Sequence, residues 1–239
     1  MKKPTKKDVV YLIVIALLVV AVVTVSVLWG IAAKEYASEP SYYDQKCASF
    51  AKQNSNLSKG QIVFIGDSLT DFYHLDDYFT TLPLATYNRG IAGDTSGGVL
   101  DRLQISLFDI APSKIVLMIG INDINGGKSL EDILTNYRAI LTSIKENLPA
   151  AEVICESVLP MNATVANYKI DLDAGTEKIK ALNVGIQALA QEKGCPFVNL
   201  YPLLSDGNDH LVEGYSTDGL HLSAAGYAVV ADAVLPFLQ

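Results

Sequence analysis

The stretch Ile62-Val63-Phe64-Ile65-Gly66-Asp67-Ser68 decides the fold of this chain. Its first four residues form a short, continuous apolar run rich in β-branched side chains, which is typical of a strand buried on both faces of a parallel sheet. A glycine, an aspartate and a serine follow, as expected where a strand turns into the next element. We therefore predict that Ser68 lies just beyond the end of a central strand, where open parallel sheets carry their sites.

Similar apolar runs alternate with amphipathic runs through the rest of the chain. The strand-like runs are Ile62–Ile65, Ala85–Asn88, Ile115–Ile119, Val153–Ser157 and Phe197–Asn199. The helix-like runs are Leu69–Thr81, Gly97–Leu107, Leu130–Asn147, Gly175–Lys193 and Ser223–Phe237. This alternation predicts an α/β fold with a parallel sheet covered on both sides. The roughly 180 residues involved suit one domain.

Four further residues extend the pattern begun by Ser68. Gly93 lies in a glycine-rich turn, Asn122 follows a second buried strand, and Asp218 precedes His221 by three residues. A tight turn through the intervening glycine would bring Asp218 and His221 together. Serine, aspartate and histidine, which occur in this order along the chain, are the components of nucleophilic acyl transfer, so the series indicates a serine esterase. Taken singly, Ser68 is equally well read as a turn residue or helix N-cap. The alternative for His221 is an ordinary loop histidine, which the other blocks argue against.

Four blocks of the chain resemble those of the GDSL, or SGNH, hydrolase family. They are Gly66-Asp67-Ser68-Leu69, Asn88-Arg89-Gly90-Ile91-Ala92-Gly93-Asp94-Thr95, Gly120-Ile121-Asn122-Asp123 and Asp218-Gly219-Leu220-His221. The resemblance covers about residues 60–238. The glycine block is similar to that of the platelet-activating-factor acetylhydrolase catalytic subunits and of many bacterial carbohydrate acetylesterases. The family implies a flavodoxin-like three-layer sandwich with five parallel strands in the order 2-1-3-4-5.

The same resemblance implies a role for each candidate residue. Ser68 would attack an ester carbonyl, His221 would act as its base, and Asp218 would orient His221. The backbone N–H groups of Ser68 and Gly93 and the side-chain amide of Asn122 would form the oxyanion hole. The mechanism requires no cofactor and no metal. The flanking aspartates are expected to hold loops through bonds to backbone N–H groups rather than to act in catalysis; they are Asp67, Asp94 and Asp123.

The substrate is expected to be an ester with a short acyl group. The glycine block favours acetyl groups on extracellular carbohydrate, with lysophospholipids, other acyl esters or thioesters as the alternative. A protein of a different class also fits the fold, namely a catalytically silent, membrane-tethered module that binds glycans. The complete set of Ser68, Gly93, Asn122, Asp218 and His221 argues against that module.

Residues 9–33 form an apolar run that no charge interrupts. At about 1.5 Å per residue a helix of this length measures roughly 37 Å, which is enough to cross a hydrocarbon layer of ~30 Å. Tyr11 and Trp29 lie near its two ends, as interfacial aromatic residues do. The run therefore predicts a transmembrane signal-anchor.

The lysines before the run set its expected orientation. They are Lys2, Lys3, Lys6 and Lys7. The positive-inside rule then predicts a single-pass protein of the cell membrane with a cytoplasmic tail of residues 1–8. Residues 34–58 are expected to be a spacer, partly helical, and residues 59–239 an extracellular hydrolase domain. The alternative is a signal peptide cleaved near Ala33 or Ala37.

Charge and cysteine content exclude several other classes. The chain has a net charge of −8, and removing the basic tail leaves −11 on the remainder. Such an acidic surface argues against nucleic acid as a partner. An odd number of cysteines at irregular spacing predicts neither a disulfide framework nor a metal cluster; they are Cys47, Cys155 and Cys195. The other histidines, His74 and His210, are expected at the surface. Nothing in the pattern indicates an oligomeric state.

Overall fold

The computed structural model describes residues 5–36, 40–168 and 171–239. The chain divides into two compact units, Met1–Tyr42 and Tyr43–Gln239. The first unit contains helix α1, Lys6–Tyr36. Its segment Lys6–Ala33 has a mean hydropathy of 3.0 over its most apolar window, none of which is buried within the structure. By length and composition this helix could span a membrane.

The second unit is built on one parallel sheet. Its strands are β1 (Ile62–Gly66), β2 (Thr86–Gly90), β3 (Lys114–Met118), β4 (Glu152–Glu156) and β5 (Phe197–Val198). Their order in the sheet is β2-β1-β3-β4-β5, and all neighbouring pairs are parallel. The predicted α/β fold and strand order are therefore confirmed.

Helices connect the strands and cover them. They are α2 (Tyr42–Asn54), α3 (Ser68–Asp71), α4 (Leu75–Tyr78), α5 (Ser96–Asp101), α6 (Ile121–Asn125), α7 (Leu130–Asn147), α8 (Leu172–Lys193), α9 (Tyr201–Leu204) and α10 (Ala224–Leu238). A π-helical turn spans Gln104–Phe108, and 3₁₀ turns span Ala163–Tyr168 and Glu213–Tyr215. Every residue of β1 is buried. Because successive strand residues point to opposite faces, both faces of the sheet are covered.

Amphipathic spacing explains the two longest helices of this unit. In α7 the buried residues are Ile133, Tyr137, Ile140, Leu141 and Ile144, and in α8 they include Ile179, Leu182, Ile186 and Leu189. These residues recur at intervals of three and four, so each set forms one face of its helix. Side chains of Ser129 and Asp171 cap the helices by accepting hydrogen bonds from backbone N–H groups of the first turn.

The segment predicted as one helix over Leu69–Thr81 is instead two short helices, α3 and α4. The amide of Asn88, in β2, donates to the carbonyl of Thr70 at 2.5 Å and to that of Tyr73 at 3.0 Å. The carbonyls of Thr70 and Tyr73 therefore bind a side chain from β2, and the chain turns between Asp71 and Leu75. A long-range contact thus overrides the local helical pattern.

Strand register brings three loops together at one edge of the sheet. Gly66, the last residue of β1, lies opposite Gly90 of β2 and Met118 of β3. Strand order reverses between β1 and β3, so the loops that follow these strands diverge and leave a crevice. Ser68, Gly93 and Asn122 follow the aligned ends by two, three and four residues, and this register places all three at the crevice.

Helix α2 packs on the second unit. Phe50 is buried, and the guanidinium of Arg89 lies over its ring at 4.5 Å. Arg89 also donates to the Asn54 side chain at 2.8 Å, and Asn54 donates to the carbonyl of Ile105 at 2.7 Å. Residues 43–54, expected to belong to a spacer, therefore form part of this unit.

Glu156, at the end of β4, is a buried acid that forms no ion pair with any residue that the structure describes. It is 4% exposed, and Oε1 has no hydrogen-bond partner among the residues that the structure describes. Burial raises the pKa of this carboxyl to about 8. The folded domain therefore keeps the proton that the unfolded chain releases near its ordinary pKa of 4.5. As pH rises through this interval the unfolded state is favoured, so stability falls.

We expect Glu156→Gln to remove this loss of stability. Between pH 5.5 and 8.5 the free energy of unfolding of the unmodified chain should fall, relative to Glu156→Gln, by roughly 2–3 kcal/mol. Urea denaturation at the two pH values measures the difference. Glu152→Gln is the matched control, since Glu152 lies on the same strand with a side chain 46% exposed. Equal pH dependence in Glu156→Gln and the unmodified chain would contradict a buried, protonated Glu156.

Candidate active site

Ser68 begins α3 at the end of the central strand. Asp67 caps this helix by accepting a hydrogen bond from the Leu69 N–H at 3.0 Å. Ser68 is only 5% exposed, yet it lines a crevice at the carboxyl edge of the sheet. The predicted position of Ser68 just beyond a central strand matches the structure.

His221 joins Ser68 to Asp218. Its Nε2 lies 2.9 Å from Ser68 Oγ, and its Nδ1 lies 2.7 Å from Asp218 Oδ2. A carboxylate can only accept, so Nδ1 carries a proton and Nε2 of the neutral ring is left to accept from the serine hydroxyl. The side chains of His221 and Asp218 are 22% and 27% exposed. The three residues therefore form a continuous hydrogen-bonded series that ends at the hydroxyl of Ser68, a residue that lines the crevice.

A short loop holds Asp218 and His221 in this arrangement. Asp218 Oδ1 accepts from the backbone N–H of Leu220 at 3.0 Å and of His221 at 2.8 Å. Ser216 accepts from the Gly219 N–H at 2.8 Å and donates to the His221 carbonyl at 2.8 Å. The tight turn expected between Asp218 and His221 is present, and Ser216, which sequence reasoning did not single out, ties its two ends together.

Gly93 and Asn122 line the crevice from two other loops. Gly93 has a φ of +81°, which glycine adopts without strain, and a Cβ added there would point into open space. Within the described part of the chain, its backbone N–H has no hydrogen-bond acceptor. The amide of Asn122 uses one hydrogen to bind the Asp94 carbonyl at 2.9 Å. Gly120, at φ +135°, turns the chain so that Asn122 enters α6 beside the crevice.

Three buried aspartates lie beneath these loops, and each accepts from backbone N–H groups. Asp67 binds Leu69, Asp94 binds Thr95 at 2.8 Å, and Asp123 binds the backbone of Ser96 at 2.7 Å. This is the scaffolding arrangement expected for them. Burial raises the pKa of Asp67 to about 7, and the charges of Asp94 and Asp123 add to that rise. Burial also raises the pKa of Asp94, and the adjacent Arg102 guanidinium opposes the rise.

The crevice is a cavity of about 600 Å³ that has an aromatic residue on one wall and charged residues on another. Phe72 is 44% exposed, and its ring centroid lies 5.1 Å from that of His221. The first turns of α8 form another wall, from which the exposed residues Asp171 and Lys178 line the same cavity. None of these three was predicted. Phe72 comes three residues after the nucleophile block Gly66–Leu69, so an aromatic residue at that place was the available signal, whereas the approach of α8 depends on tertiary packing.

The remaining histidines and cysteines lie away from this cavity. His74 is exposed and His210 is half-buried. Cys155 is buried, Cys47 and Cys195 are half-buried, and all three thiols are free. Among residues 5–36, 40–168 and 171–239, no cluster of three or more histidine, cysteine or acidic side chains is arranged to hold a metal ion.

The chain is similar in sequence to known proteins. A model of the GDSL-like lipase/acylhydrolase family matches residues 64–229. Platelet-activating factor acetylhydrolase IB subunit alpha1 of Homo sapiens is 32% identical over 187 residues, which cover 76% of each chain.

Several solved structures are also similar to this chain. A protein of Streptococcus pneumonia, provisionally named a platelet activating factor, is 30% identical with a TM-score of 0.77 and covers 91% of this chain and 99% of its own. A GDSL-like lipase of Bacteroides thetaiotaomicron is 26% identical with a TM-score of 0.73, covering 83% and 98%. An acetylxylan esterase of Geobacillus stearothermophilus shares the fold, at 19% identity and a TM-score of 0.62 over 77% and 95%.

Proposed function

The chain belongs to the GDSL-like lipase/acylhydrolase family and is an ester hydrolase, and we propose that it removes short acyl groups, acetyl above all, from carbohydrate. The observation that carries the proposed mechanism is the hydrogen-bonded series from Ser68 through His221 to Asp218. The Ser68 hydroxyl attacks the ester carbonyl while His221 Nε2 takes its proton. His221 then protonates the leaving alcohol and activates water for deacylation. Asp218 holds the productive tautomer and stabilises the imidazolium.

The oxyanion of each tetrahedral intermediate would be bound by three donors. They are the backbone N–H groups of Ser68 and Gly93 and the second hydrogen of the Asn122 amide, the one not bound to the Asp94 carbonyl. Two observations support this assignment: all three residues line one cavity, and the Gly93 N–H has no acceptor within the described residues. Donors fixed by the fold need no reorganisation as negative charge develops on the carbonyl oxygen.

The substrate class is proposed from the relatives and from the cavity walls. The relative from Homo sapiens is named an acetylhydrolase, which favours a short acyl group here. The cavity offers Phe72 as an aromatic surface, and Asp171 and Lys178 as hydrogen-bonding groups. An aromatic face beside polar side chains suits a sugar ring, which presents both apolar C–H surface and hydroxyl groups. Lysophospholipids and other acyl esters or thioesters are the alternative substrates.

We expect turnover to decline with acyl length. Across 4-nitrophenyl esters from acetate to octanoate, kcat/KM should be highest for acetate and fall about tenfold or more by hexanoate. Each methylene that the acyl pocket does not accommodate lowers the binding of the transition state, and hence kcat/KM. The full chain in a detergent without ester bonds is used for the series. Release of acetate from an acetylated xylooligosaccharide, compared with release of fatty acid from a lysophospholipid, tests the leaving group.

Other outcomes select the alternatives. Faster hydrolysis of octanoate and of lysophospholipid would replace the acetyl-carbohydrate proposal with a lipid substrate. Failure of a fluorophosphonate to label Ser68 in the folded chain, together with no turnover of any ester, would instead favour a catalytically silent glycan-binding module.

We further propose that α1 anchors the enzyme in the cell membrane with the hydrolase domain outside. The support is the uninterrupted apolar run of α1 and the lysines before it. Protease added to intact cells that express the full chain should digest or release the domain, and the purified protein should still begin near Met1. Recovery of a mature protein that begins after Ala33 or Ala37 would mean a cleaved signal peptide and a secreted enzyme. Protection from protease would contradict an extracellular domain.

A further inference from the structure

We propose that Arg102 is the positioning residue of the oxyanion hole, acting on all three donors through one buried guanidinium. This inference rests on the proposed function, because it assumes that Ser68, Gly93 and Asn122 bind the oxyanion. Arg102 does not line the cavity that contains Ser68. Its action on the reaction would therefore pass through the groups that it binds.

The guanidinium of Arg102 joins the ends of two strands to the glycine loop. Nη2 donates to the carbonyl of Gly66 at 2.9 Å, and Nη1 donates to the carbonyl of Arg89 at 2.8 Å. Nε donates to Asp94 Oδ2 at 2.7 Å. Gly66 ends β1 and Arg89 lies in β2, so one rigid planar group sets the spacing between these strands and the loop after β2.

Each of the three donors lies within two residues of a group that Arg102 holds, or binds such a group directly. Ser68 follows Gly66 by two residues. Gly93 immediately precedes Asp94, whose side chain Arg102 binds. Asn122 donates to the backbone carbonyl of Asp94 at 2.9 Å. The three donors come from loops far apart in the sequence, and Arg102 with Asp94 is one place where these loops are joined.

Burial makes the Arg102–Asp94 ion pair costly to break and therefore fixes its geometry. The two side chains are 1% and 2% exposed. A buried ion pair is costly to break from one side, because the remaining charge is left without a partner. Arg102 is fixed in turn by Ser106, in the π-helical turn, whose hydroxyl accepts from Nη1 at 2.9 Å. The pair therefore has one well-defined geometry, which is the property that a positioning group needs.

Lysine cannot reproduce this set of bonds. An ammonium group is a single point on a flexible stem, whereas the guanidinium presents donors in a planar fork. Arg102→Lys retains the charge opposite Asp94 but cannot reach Gly66, Arg89 and Asp94 together. The substitution should thus loosen the donors without leaving Asp94 as an isolated buried charge.

A double-mutant cycle between Arg102→Lys and Asn122→Ala tests the proposal. We expect Arg102→Lys to lower kcat about 10²-fold with KM nearly unchanged, as a displacement on the order of 1 Å in the catalytic groups would. Asn122→Ala alone should lower kcat about 10²–10³-fold. If Arg102 acts through the oxyanion donors, the double variant should lie within about tenfold of the worse single variant. Independent sites would give additive free energies, and hence a loss of about 10⁴–10⁵-fold.

The outcomes separate this inference from the proposed function. A large Asn122→Ala effect together with strict additivity in the double variant would overturn the role of Arg102 and leave the esterase proposal intact. Wild-type kcat in Arg102→Lys would also overturn the role of Arg102. A negligible effect of Asn122→Ala would do the same, because Asn122 would then not be an oxyanion donor for Arg102 to position. Thermal unfolding of each variant reports whether the domain is folded.

A second variant covers the case in which Arg102→Lys does not fold. Asp94→Asn keeps one acceptor oxygen for Arg102 Nε and removes the charge, while the NH₂ group that replaces the other oxygen loses the bond from the Thr95 N–H. The same cycle with Asn122→Ala should again be less than additive, and additivity would overturn the inference. Arg138→Lys is the matched control, since Arg138 is a half-exposed arginine on α7 that pairs with Glu192. It should leave kcat and KM unchanged.

Discussion

Replacing Ser68 with alanine is expected to lower kcat by roughly 10⁴–10⁶-fold, because losing the nucleophile of a triad removes the covalent pathway. The fold should survive. Ser68 Oγ makes its hydrogen bond to His221, a side chain that remains partly exposed to water, so removing the hydroxyl leaves no buried group without a partner.

Ester hydrolysis and thermal unfolding of the same preparation measure the two parts of this prediction. Ser129→Ala is the matched control. Ser129 caps α7 and does not line the cavity, so its loss should cost about 1 kcal/mol of stability while kcat is retained. Near-normal turnover by a folded Ser68→Ala protein would refute the serine mechanism.

Asn122→Ala should give the next largest loss, a fall in kcat of about 10²–10³-fold, equivalent to roughly 2.7–4 kcal/mol. The amide is proposed to stabilise charge that exists only in the transition state, so KM should change little. A fluorophosphonate should still label Ser68, though more slowly, because that reaction also places charge on oxygen. Asn122→Asp should be worse than alanine, since a carboxylate would face both the oxyanion and the carbonyl of Asp94.

Steady-state kinetics of the three proteins, with active-site labelling, measure these effects. Asn147→Ala serves as the control, because Asn147 is exposed at the end of α7 and its amide donates to a backbone carbonyl of the same helix. Near-wild-type kcat in Asn122→Asp would show that Asn122 is structural and would remove its role in the oxyanion hole.

The sequence alone was sufficient for the parts of this protein that depend on local pattern. Continuous apolar runs specify strands buried on both faces, and three-four spacing specifies the buried sides of α7 and α8, because burial of apolar surface is the main stabilising term. The strand-end position of Ser68 follows from the same pattern. Proximity of Asp218 and His221 follows as well, since the turn that joins them is only four residues long.

Helical spacing also indicates on which face of its segment the Arg102 side chain lies. Its spacing of three from Val99 and four from Ser106, both fully buried, places it on the inner face of its helical segment. A charged residue on a buried face must have partners, but the sequence does not say which ones. Its partners, Gly66, Arg89 and Asp94, come from two strands and a loop.

Tertiary structure alone decided the features that depend on distant segments. The break between α3 and α4 follows from the Asn88 amide, and the packing of α2 follows from Arg89 and Asn54. The wall formed by Asp171 and Lys178 depends on where α8 crosses the sheet. These contacts form between residues far apart in the chain, and their energies depend on register and close packing. Local propensity does not encode that geometry, which exists only once the strands have paired.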